Sequence, residues 1–355
     1  MVEVGRDDEQ RKVLALLAPG SDLREGVERI IRAGRGTLMV IGGGPEFAAL
    51  FSGGFKIDVV ATGQRIAELA KMDGALVFDE NAGRVLRANV QLVPDALIET
   101  AETGTRHRSA ERAARQSGLP VIAVSESMGV VTVYHGNSKY NLEEVSALLV
   151  RANQALSTLE RYRARLDEVS AVLSAREVED AVSVRDVVLA LQRAEMMRRI
   201  ADEVEDHVVM LGTEGRLIRL QLDELVASVA DDRELVVRDY LADRRRKLIK
   251  VLTDVAEVST DELLDAGSVA ELLAFDRDQL DQPVTPRGYR LLSKIPRLPS
   301  TVIERLVVAF GSLPNIMEAT IAQLDDVEGI GEARARTIQD GLRRLAEASL
   351  LDRYV

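Results

Sequence analysis

The spacing of apolar residues changes its period near residue 140. Before that point, short apolar runs typical of buried strands alternate with amphipathic stretches typical of helices. After it, apolar residues recur every three or four positions, which predicts helices to the end of the chain. The pattern therefore predicts a multidomain protein, with an N-terminal α/β domain followed by all-α regions.

The N-terminal domain, residues 1–140, is predicted to contain short strands separated by helices. We expect strands at 37–41, 59–60, 75–78, 85–93, 121–124 and 130–134. We expect helices over 1–20, from residue 22 onwards, over 62–71, and from residue 110 through 115. The last two strands are close enough in sequence to form a hairpin, which predicts a mixed sheet.

The rest of the chain is predicted to form two helical domains. No Gly or Pro interrupts the apolar steps from Asn141 to Leu173, which predicts one helix of roughly 30 residues. Further helices are clearest at 186–204 and 218–229. Proline and glycine between 283 and 288 mark a second boundary. We therefore assign residues 141–285 to an all-α spacer and 286–355 to an all-α C-terminal domain.

The C-terminal domain contains a helix-hairpin-helix pattern. Residues 327–335 fit apolar-x-Gly-apolar-Gly-x-x-x-Ala, and residues 295–299 resemble a degenerate first copy. Gly329 and Gly331 would let the hairpin approach a DNA phosphate, with Arg334 and the following backbone N–H groups as donors. The alternative is a purely structural helix hairpin. The domain has ten Arg or Lys against nine Asp or Glu, so we expect weak, salt-sensitive binding per domain.

Composition narrows the chemistry that is available. The net charge is −12, so nucleic acid can bind only at a local patch. The absence of cysteine excludes disulfides and thiolate metal sites, and only three histidines are present. No apolar run approaches the roughly 18 residues of a membrane span. We therefore expect a cytoplasmic protein without membrane contact.

Residues 104–109, Gly-Thr-Arg-His-Arg-Ser, are the strongest candidate for phosphate binding. Guanidinium groups match phosphate oxygens and stay charged at any working pH. The apolar pattern resumes only at Ala110, which predicts a loop leading into a helix whose start offers free N–H donors. The alternative is a solvated basic turn that caps a helix.

A second candidate lies at the entry to the strand at 75–78. Asp73 can hold Mg²⁺ and accept a proton from a hydroxyl, and Gly74 allows a ligand to approach the backbone. The alternative is an ordinary Asp-Gly turn. A third candidate, the basic run 244–247, sits in a helical pattern, and we interpret it as a solvated helix face in preference to a nucleic-acid patch.

Asp73-Gly74-Ala75, followed about thirty residues later by Gly-Thr-Arg-His-Arg, resembles the diadenylate cyclase domain of the bacterial DNA-integrity scanning family. The order of cyclase, helical spacer and helix-hairpin-helix extends the resemblance over the whole chain. That family condenses two ATP molecules into cyclic di-AMP and two pyrophosphates. The resemblance implies that Asp73 binds Mg²⁺ or Mn²⁺ and helps to activate a 3′-hydroxyl.

The resemblance also implies how the substrate is bound. Gly74 and Leu92 would line the adenosine pocket, and Ser125 and Glu126 would add further contacts. The triphosphate would be held by Thr105, Arg106, His107, Arg108 and Ser109.

The reaction is symmetric and one chain offers one such site, so the minimum assembly is a face-to-face homodimer. The resemblance implies an octamer, and branched DNA that binds the hairpin domain and slows the cyclase. It also implies a RecA-like recombination ATPase as a partner and a cytoplasmic, nucleoid-associated location.

The sequence also leaves two rival functions open. The first is a non-enzymatic DNA-repair binding module whose N-terminal domain senses nucleotide. The second is a nuclease subunit, which needs clustered acidic residues for two metal ions, and no such cluster accompanies Asp73 in the sequence. Identifying the product formed from ATP would separate these possibilities from a cyclase.

Overall fold

The computed structural model describes residues 11–126, 129–227, 229–243 and 245–351. The chain forms two compact units, each assembled from two segments of sequence. One comprises Met1–Gln154 and Val204–Leu220, and the other comprises Ala155–Glu203 and Gln221–Val355. No helix within the described ranges is long and apolar enough to cross a membrane.

The first unit is built on a sheet that has eight strands within the described residues. The strands are β1 (Thr37–Ile41), β2 (Phe51–Ser52), β3 (Phe55–Val60), β4 (Ala75–Phe78), β5 (Arg84–Leu92), β6 (Val121–Val124), β7 (Val131–His135) and β8 (Ser138–Asn141). Their order is β2-β5-β4-β1-β6-β7-β8, with β3 also paired to β5. Only β1 and β4 pair in parallel, and the other described pairings are antiparallel. The predicted mixed sheet and the β6–β7 hairpin are therefore confirmed.

The helices that cover the two faces of this sheet include α1 (Asp22–Arg32), α2 (Gly63–Leu69) and α3 (Thr105–Ser117). Successive strand residues point to opposite faces. Met39 and Ile41 of β1 therefore share a core with α1 and α2, whereas Leu38 and Val40 share one with α3. The central strands are buried on both faces, which is why they appear in the sequence as continuous apolar runs.

Several predicted boundaries were wrong in this unit. Residues 104–109 do not form a loop, because α3 begins at Thr105 with Gly104 as its N-cap. Apolar periodicity misses such a start, since a first helical turn exposed at a cleft carries polar side chains. Strand β8 was not predicted, and the described part of the first predicted helix is 11–16, with 1–10 outside the described residues.

Helices make up the remainder of the chain. They are α4 (Val145–Val178), α5 (Val184–Leu211), α6 (Arg216–Val226), α7 (Val229–Tyr240), α8 (Leu248–Glu257), α9 (Thr260–Leu264), α10 (Ala266–Leu272), α11 (Tyr289–Ser293), α12 (Ser300–Phe310), α13 (Leu313–Glu318), α14 (Ile321–Asp325) and α15 (Glu332–Leu351). The 34 residues of α4 confirm the predicted long helix, although it begins after Asn141.

The basic run at 244–247 was wrongly predicted to be helical. Residues 245–247 form a turn that ends where α8 begins, and Arg244 lies outside the described residues. Arg246 donates to the carbonyl of Leu272 at 2.6 Å and to Asp254 at 2.9 Å. These bonds hold the turn against the neighbouring helices, so at least part of its charge has a structural role.

A buried ionic network joins the helical spacer to the hairpin region inside the second unit. Arg290 and Glu177 are each 1% exposed and form an ion pair at 2.9 Å. Asp239 accepts the backbone N–H groups of Gly288, Tyr289 and Arg290 at 2.7–2.8 Å. Burial and the nearby Glu177 raise the pKa of Asp239 to about 7. The start of α11 is therefore fastened to α4 and α7 by charged groups that water does not reach.

Candidate active site and nucleic-acid interface

A cleft of about 570 Å³ opens in the first unit where β1, β4 and β5 meet the start of α3. Six residues predicted from the sequence line it: Asp73, Gly74, Leu92, Thr105, Arg106 and Ser109. The turn between β2 and β3 adds Gly53 and Gly54, and β5 adds Asn89 to Gln91. The sheet therefore brings the Asp-Gly corner and the basic helix start to one place, although about thirty residues separate them in sequence.

The start of α3 is suited to an anion. Gly104 caps the helix with extended backbone angles of φ −78° and ψ 141°, and no side chain accepts from the first-turn N–H groups. The first turn contains no acidic residue and contains Arg106 and Arg108, although the positive end of the helix dipole disfavours cations. This arrangement costs stability in the free protein and becomes favourable when a phosphate binds.

The corner before β4 depends on glycine. Gly74 has a φ of +105°, and a Cβ at this position would lie 2.8 Å from the carbonyl oxygen of Val90. Its backbone N–H donates to Oδ1 of Asp73 at 3.1 Å. β5 therefore passes directly behind the corner, and the exposed Asp73 carboxylate is held at the cleft.

Arg106 is directed by an ion pair and by a small neighbour. Its Nη1 lies 3.1 Å from Oε2 of Glu126. A Cβ on Gly36 would lie 2.5 Å from the same nitrogen, so a larger residue there would displace the guanidinium from this position. Glu126 thus contacts the site through Arg106 and is not among the residues that line the cleft. Ser125 follows β6, and its N–H donates to Val130 at 2.9 Å.

His107 faces a network that sequence reasoning missed. Its Nδ1 lies 2.9 Å from the hydroxyl of Tyr134, and that hydroxyl donates to Oε1 of Glu102 at 2.9 Å. Lys139 donates to the same carboxylate oxygen at 2.5 Å, and this bond lowers the pKa of Glu102. Because the Tyr134 hydroxyl donates its hydrogen bond to Glu102, its oxygen accepts from Nδ1–H of His107. Nε2 is then the ring nitrogen that remains as an acceptor.

Arg108, also predicted to bind triphosphate, is exposed and forms no ion pair with a residue that the structure describes. Like His107, it is outside the set of residues that line the cleft. The segment that leads to α3 is tied down by two arginines of the helix. Arg112 donates to the carbonyl of Ile98, and Arg115 to that of Glu99, each at 2.7 Å. These bonds fasten residues 98–99 to α3.

The donor set of the cleft fits a divalent ion that arrives with a phosphate ligand. Asp73 offers carboxylate oxygens, which Mg²⁺ and Mn²⁺ prefer. Among the described residues, no group of three or more His, Asp or Glu could hold a metal ion without help. Mg²⁺ in nucleotide enzymes is typically bound by one or two carboxylates together with substrate phosphates. Asp73 meets that requirement, and the two-metal acidic cluster of a nuclease is absent from the described residues.

Two hairpins with the same backbone path lie near the C-terminus. In the second, Gly329 has a φ of +84°, and the N–H of Ile330 donates to Val327 at 2.9 Å. In the first, Arg297 has a φ of +62°, and the N–H of Leu298 donates to Ile295 at 3.3 Å. The first leads into α12 and the second into α15. The geometry supports the prediction that residues 295–299 are a degenerate copy of the hairpin.

The other predicted DNA-binding residues lie in the second hairpin. Gly331 precedes α15 and has open space around it, since a Cβ added there would meet no atom within 4 Å. Arg334 donates its guanidinium to the carbonyl oxygen of Gly329. This bond stabilises the turn inside the protein and leaves fewer donors of Arg334 for DNA.

Three family models match consecutive parts of the chain. Residues 24–139 match the DisA bacterial checkpoint controller nucleotide-binding region, and residues 142–281 match its linker region. Residues 289–344 match a SAM-like helix-hairpin-helix tandem. The DNA integrity scanning protein DisA of Acidothermus cellulolyticus is 53% identical over 99% of this chain and 97% of its own length. The chain belongs to the DisA family.

Other members of the DisA family are similarly close. The proteins of Kineococcus radiotolerans and Streptomyces griseus are 55% and 51% identical and cover 98% and 99% of this chain. They are covered over 98% and 96% of their own lengths. A solved structure, DacA from Staphylococcus aureus, matches 39% of this chain and 90% of its own, with 18% identity and a TM-score of 0.30.

Membership of the DisA family confirms the enzyme class that the sequence indicated, a diadenylate cyclase with a DNA-binding helix-hairpin-helix domain. The nucleotide-binding region includes every residue assigned to the cleft. The hairpin model describes a tandem, and its range includes both residues 295–299 and residues 327–331. The roles of individual residues in the cleft and the hairpins stay predictions.

Proposed function

We propose that the cleft between Asp73 and the start of α3 condenses two ATP molecules into cyclic di-AMP and two pyrophosphates. One observation carries this proposal. The exposed carboxylate of Asp73 lines the same cleft as Arg106 and the start of α3, whose first-turn N–H groups receive no side-chain cap. A nucleotide fits this arrangement with its phosphates at α3 and its ribose towards the Asp-Gly corner, where Gly74 and Leu92 provide a surface for adenosine.

Each condensation step joins the 3′-oxygen of one ATP to the α-phosphorus of the other and breaks the bond from that phosphorus to the pyrophosphate. Arg106 and the first-turn N–H groups of α3 are placed to neutralise the leaving pyrophosphate. Asp73 would bind the ATP whose ribose attacks and would accept the proton of its 3′-hydroxyl. A Mg²⁺ or Mn²⁺ ion held by Asp73 and the phosphates would supply further charge neutralisation and make the 3′-hydroxyl more acidic.

Two copies of the cleft are required, because each ATP is both nucleophile and electrophile. The simplest arrangement is a face-to-face contact between identical surfaces of two protomers. The proposal includes the octamer implied by the resemblance, in which several such pairs coexist. Sedimentation at the protein concentration of the assay measures the number of protomers in the assembly. Activity that rises with the square of protein concentration at high dilution would indicate that two protomers form the active site.

The test of the main proposal is product identification. Full-length protein is incubated with ATP and Mg²⁺ or Mn²⁺, without DNA. The nucleotides are then separated by chromatography and identified by mass spectrometry. Cyclic di-AMP with two equivalents of pyrophosphate supports the proposal. Release of ADP, or return of unchanged ATP, would instead favour the nucleotide-sensing DNA-repair module.

We also propose that branched DNA bound at the hairpins slows the cyclase. Helix α4 has residues in both compact units. DNA bound to the second unit can therefore alter the activity of the first, provided that DNA binds one conformation of the protein more tightly than another. The test is the rate at fixed ATP while junction DNA is titrated in at low salt, compared with the Gly329→Leu/Gly331→Leu protein. Inhibition of wild type alone would assign the coupling to the second hairpin, whereas equal inhibition of both proteins would place the DNA contact elsewhere in the chain. Co-purification tests the remaining parts of this proposal, a RecA-like recombination ATPase as partner and association with the nucleoid.

A further inference from the structure

The two hairpins have the same backbone and different chemistry. Arg297 stands in the first hairpin where Gly329 stands in the second, and both have left-handed φ angles of +62° and +84°. A side chain disfavours this conformation, because its Cβ crowds the backbone. Glycine would satisfy the turn without that cost, so an arginine here is unfavourable for folding and calls for another explanation.

The second hairpin has two glutamates beside it, and its arginines are engaged within the protein. Glu328 lies in the turn, and Glu332 begins the following helix. Arg334 donates to Gly329, and Arg336 pairs with Glu332. Arg305 donates to the carbonyl of Glu328 at 2.8 Å. The guanidinium groups beside this hairpin are therefore engaged with protein oxygens, with Glu328 4.0 Å from Arg305 and Glu332 paired with Arg336.

The first hairpin has the opposite character. Residues 294–303 contain no acidic residue, and of their two basic residues Lys294 donates to Ser174 at 2.7 Å, which leaves Arg297. The next acid, Glu304, is turned away, since its carboxylate receives Arg238 and the hydroxyl of Tyr289. The Arg297 side chain is exposed and makes no hydrogen bond or ion pair with any residue in the described ranges. Its five N–H donors are therefore available for a ligand.

The first hairpin also lacks one backbone donor that the second has. Pro299 occupies the position of Gly331, and proline has no N–H. A phosphate placed against this turn would lose that hydrogen bond. The guanidinium of Arg297, two residues earlier, can replace it with a charge-assisted, bidentate contact. The donor that Pro299 lacks would therefore account for an arginine at position 297, despite its left-handed φ.

We infer that the first hairpin, residues 295–299, provides the principal DNA contact of this domain and that Arg297 binds the phosphate. This inference rests on the DNA binding assigned to the hairpin domain and specifies which half of the tandem carries it. The ligand class is a phosphodiester backbone without base recognition, because nothing on the turn offers a pattern that reads base edges.

The experiment compares four full-length proteins: wild type, Arg297→Gly, Arg297→Lys and Arg336→Ala. Affinity for a junction DNA is measured from 50 to 200 mM salt, and thermal unfolding is measured alongside. Arg297→Gly should bind more weakly, and the slope of log affinity against log salt should fall by about 1. Its unfolding midpoint should stay equal or rise, since glycine accepts the left-handed angle at no cost.

The other variants separate charge from position. Arg297→Lys keeps the positive charge but loses the bidentate fork, so it should keep the wild-type salt slope and bind with an affinity between those of wild type and Arg297→Gly. Arg336→Ala loses the same charge from the helix after the second hairpin and should bind like wild type. Wild-type affinity in Arg297→Gly would overturn the inference while leaving DNA binding by the protein intact. A wild-type protein that binds no DNA at all would overturn both this inference and the proposed DNA binding.

Discussion

The hydroxyl of Tyr134 lies 2.9 Å from Nδ1 of His107 and donates a hydrogen bond to Oε1 of Glu102 at 2.9 Å. The two ring systems come from a buried strand and from the first turn of α3, which are 27 residues apart in sequence. The contact holds the imidazole in one tautomer and anchors the turn that presents Arg106 to the cleft. A strand residue thus orients the candidate phosphate site from behind.

Tyr134→Phe should lower the kcat of cyclic di-AMP formation by about three- to tenfold, which corresponds to one hydrogen bond. The phenyl ring keeps the packing of β7, while His107 loses the acceptor that fixes its tautomer. KM for ATP should change less than kcat. Tyr140→Phe on β8 is the matched control and should behave like wild type. Equal loss in both variants would assign the effect to general packing.

Glu102→Gln should make the first unit less stable at neutral pH, and the difference should disappear in acid. Lys139 lowers the pKa of Glu102 in the folded protein, so its stabilising effect is complete above the ordinary glutamate pKa. It is lost as the pH falls through the lowered folded value. Unfolding midpoints of the two proteins between pH 6 and pH 3 should therefore converge. A gap that is unchanged at pH 3 would contradict the ionic explanation.

Asp73→Asn should abolish cyclic di-AMP formation while ATP still binds through Arg106 and the start of α3. The amide cannot take up a proton and is a poor ligand for a divalent ion. Turnover and nucleotide binding are measured separately, for example by chromatography and by calorimetry. Glu80→Gln, beyond the other end of β4, removes the same charge and should remain active. Near-normal turnover in Asp73→Asn would eliminate the assignment of this carboxylate.

Gly74→Ala should reduce both stability and activity. The added Cβ would lie 2.8 Å from the carbonyl of Val90 at a φ of +105°, so the corner has to move away from β5. We expect a cost of about 1–3 kcal/mol from the backbone strain alone. Gly34→Ala has a φ of +62° with open space around it, and it measures the strain without the clash. Gly74→Ala should therefore unfold at a lower temperature than Gly34→Ala.

Glu177→Gln should destabilise the second unit by about 3–5 kcal/mol, because the buried Arg290 would lose the carboxylate with which it pairs at 2.9 Å. The surface pair of Arg336 and Glu332, which are 63% and 64% exposed, supplies the comparison. Glu332→Gln should cost at most about 1 kcal/mol. Urea unfolding of both variants measures the difference. A similar effect at the two positions would show that burial does not govern the Glu177 pair.

The sequence by itself determined the parts of this protein that depend on burial. Continuous apolar runs predicted β1, β4, β6 and β7, because strands covered on both faces have no polar side. The uninterrupted three-and-four spacing predicted α4, because a helix that buries one face repeats its apolar residues at that interval. Short motifs with a fixed local geometry, such as the Asp-Gly corner and the second hairpin, were also recognisable.

Only the tertiary structure decided which distant residues meet. The Glu102–Tyr134–Lys139 network joins a loop and two strands, and no local pattern records that proximity. The turn at 245–247 and the helical start at Thr105 were missed, since exposed polar residues carry no periodic signal. The left-handed angle of Arg297 was equally invisible, because an arginine predicts nothing about φ and the surrounding turn imposes it. Burial follows from composition along one segment, whereas side-chain partnership follows from how the sheet and helices bring segments together.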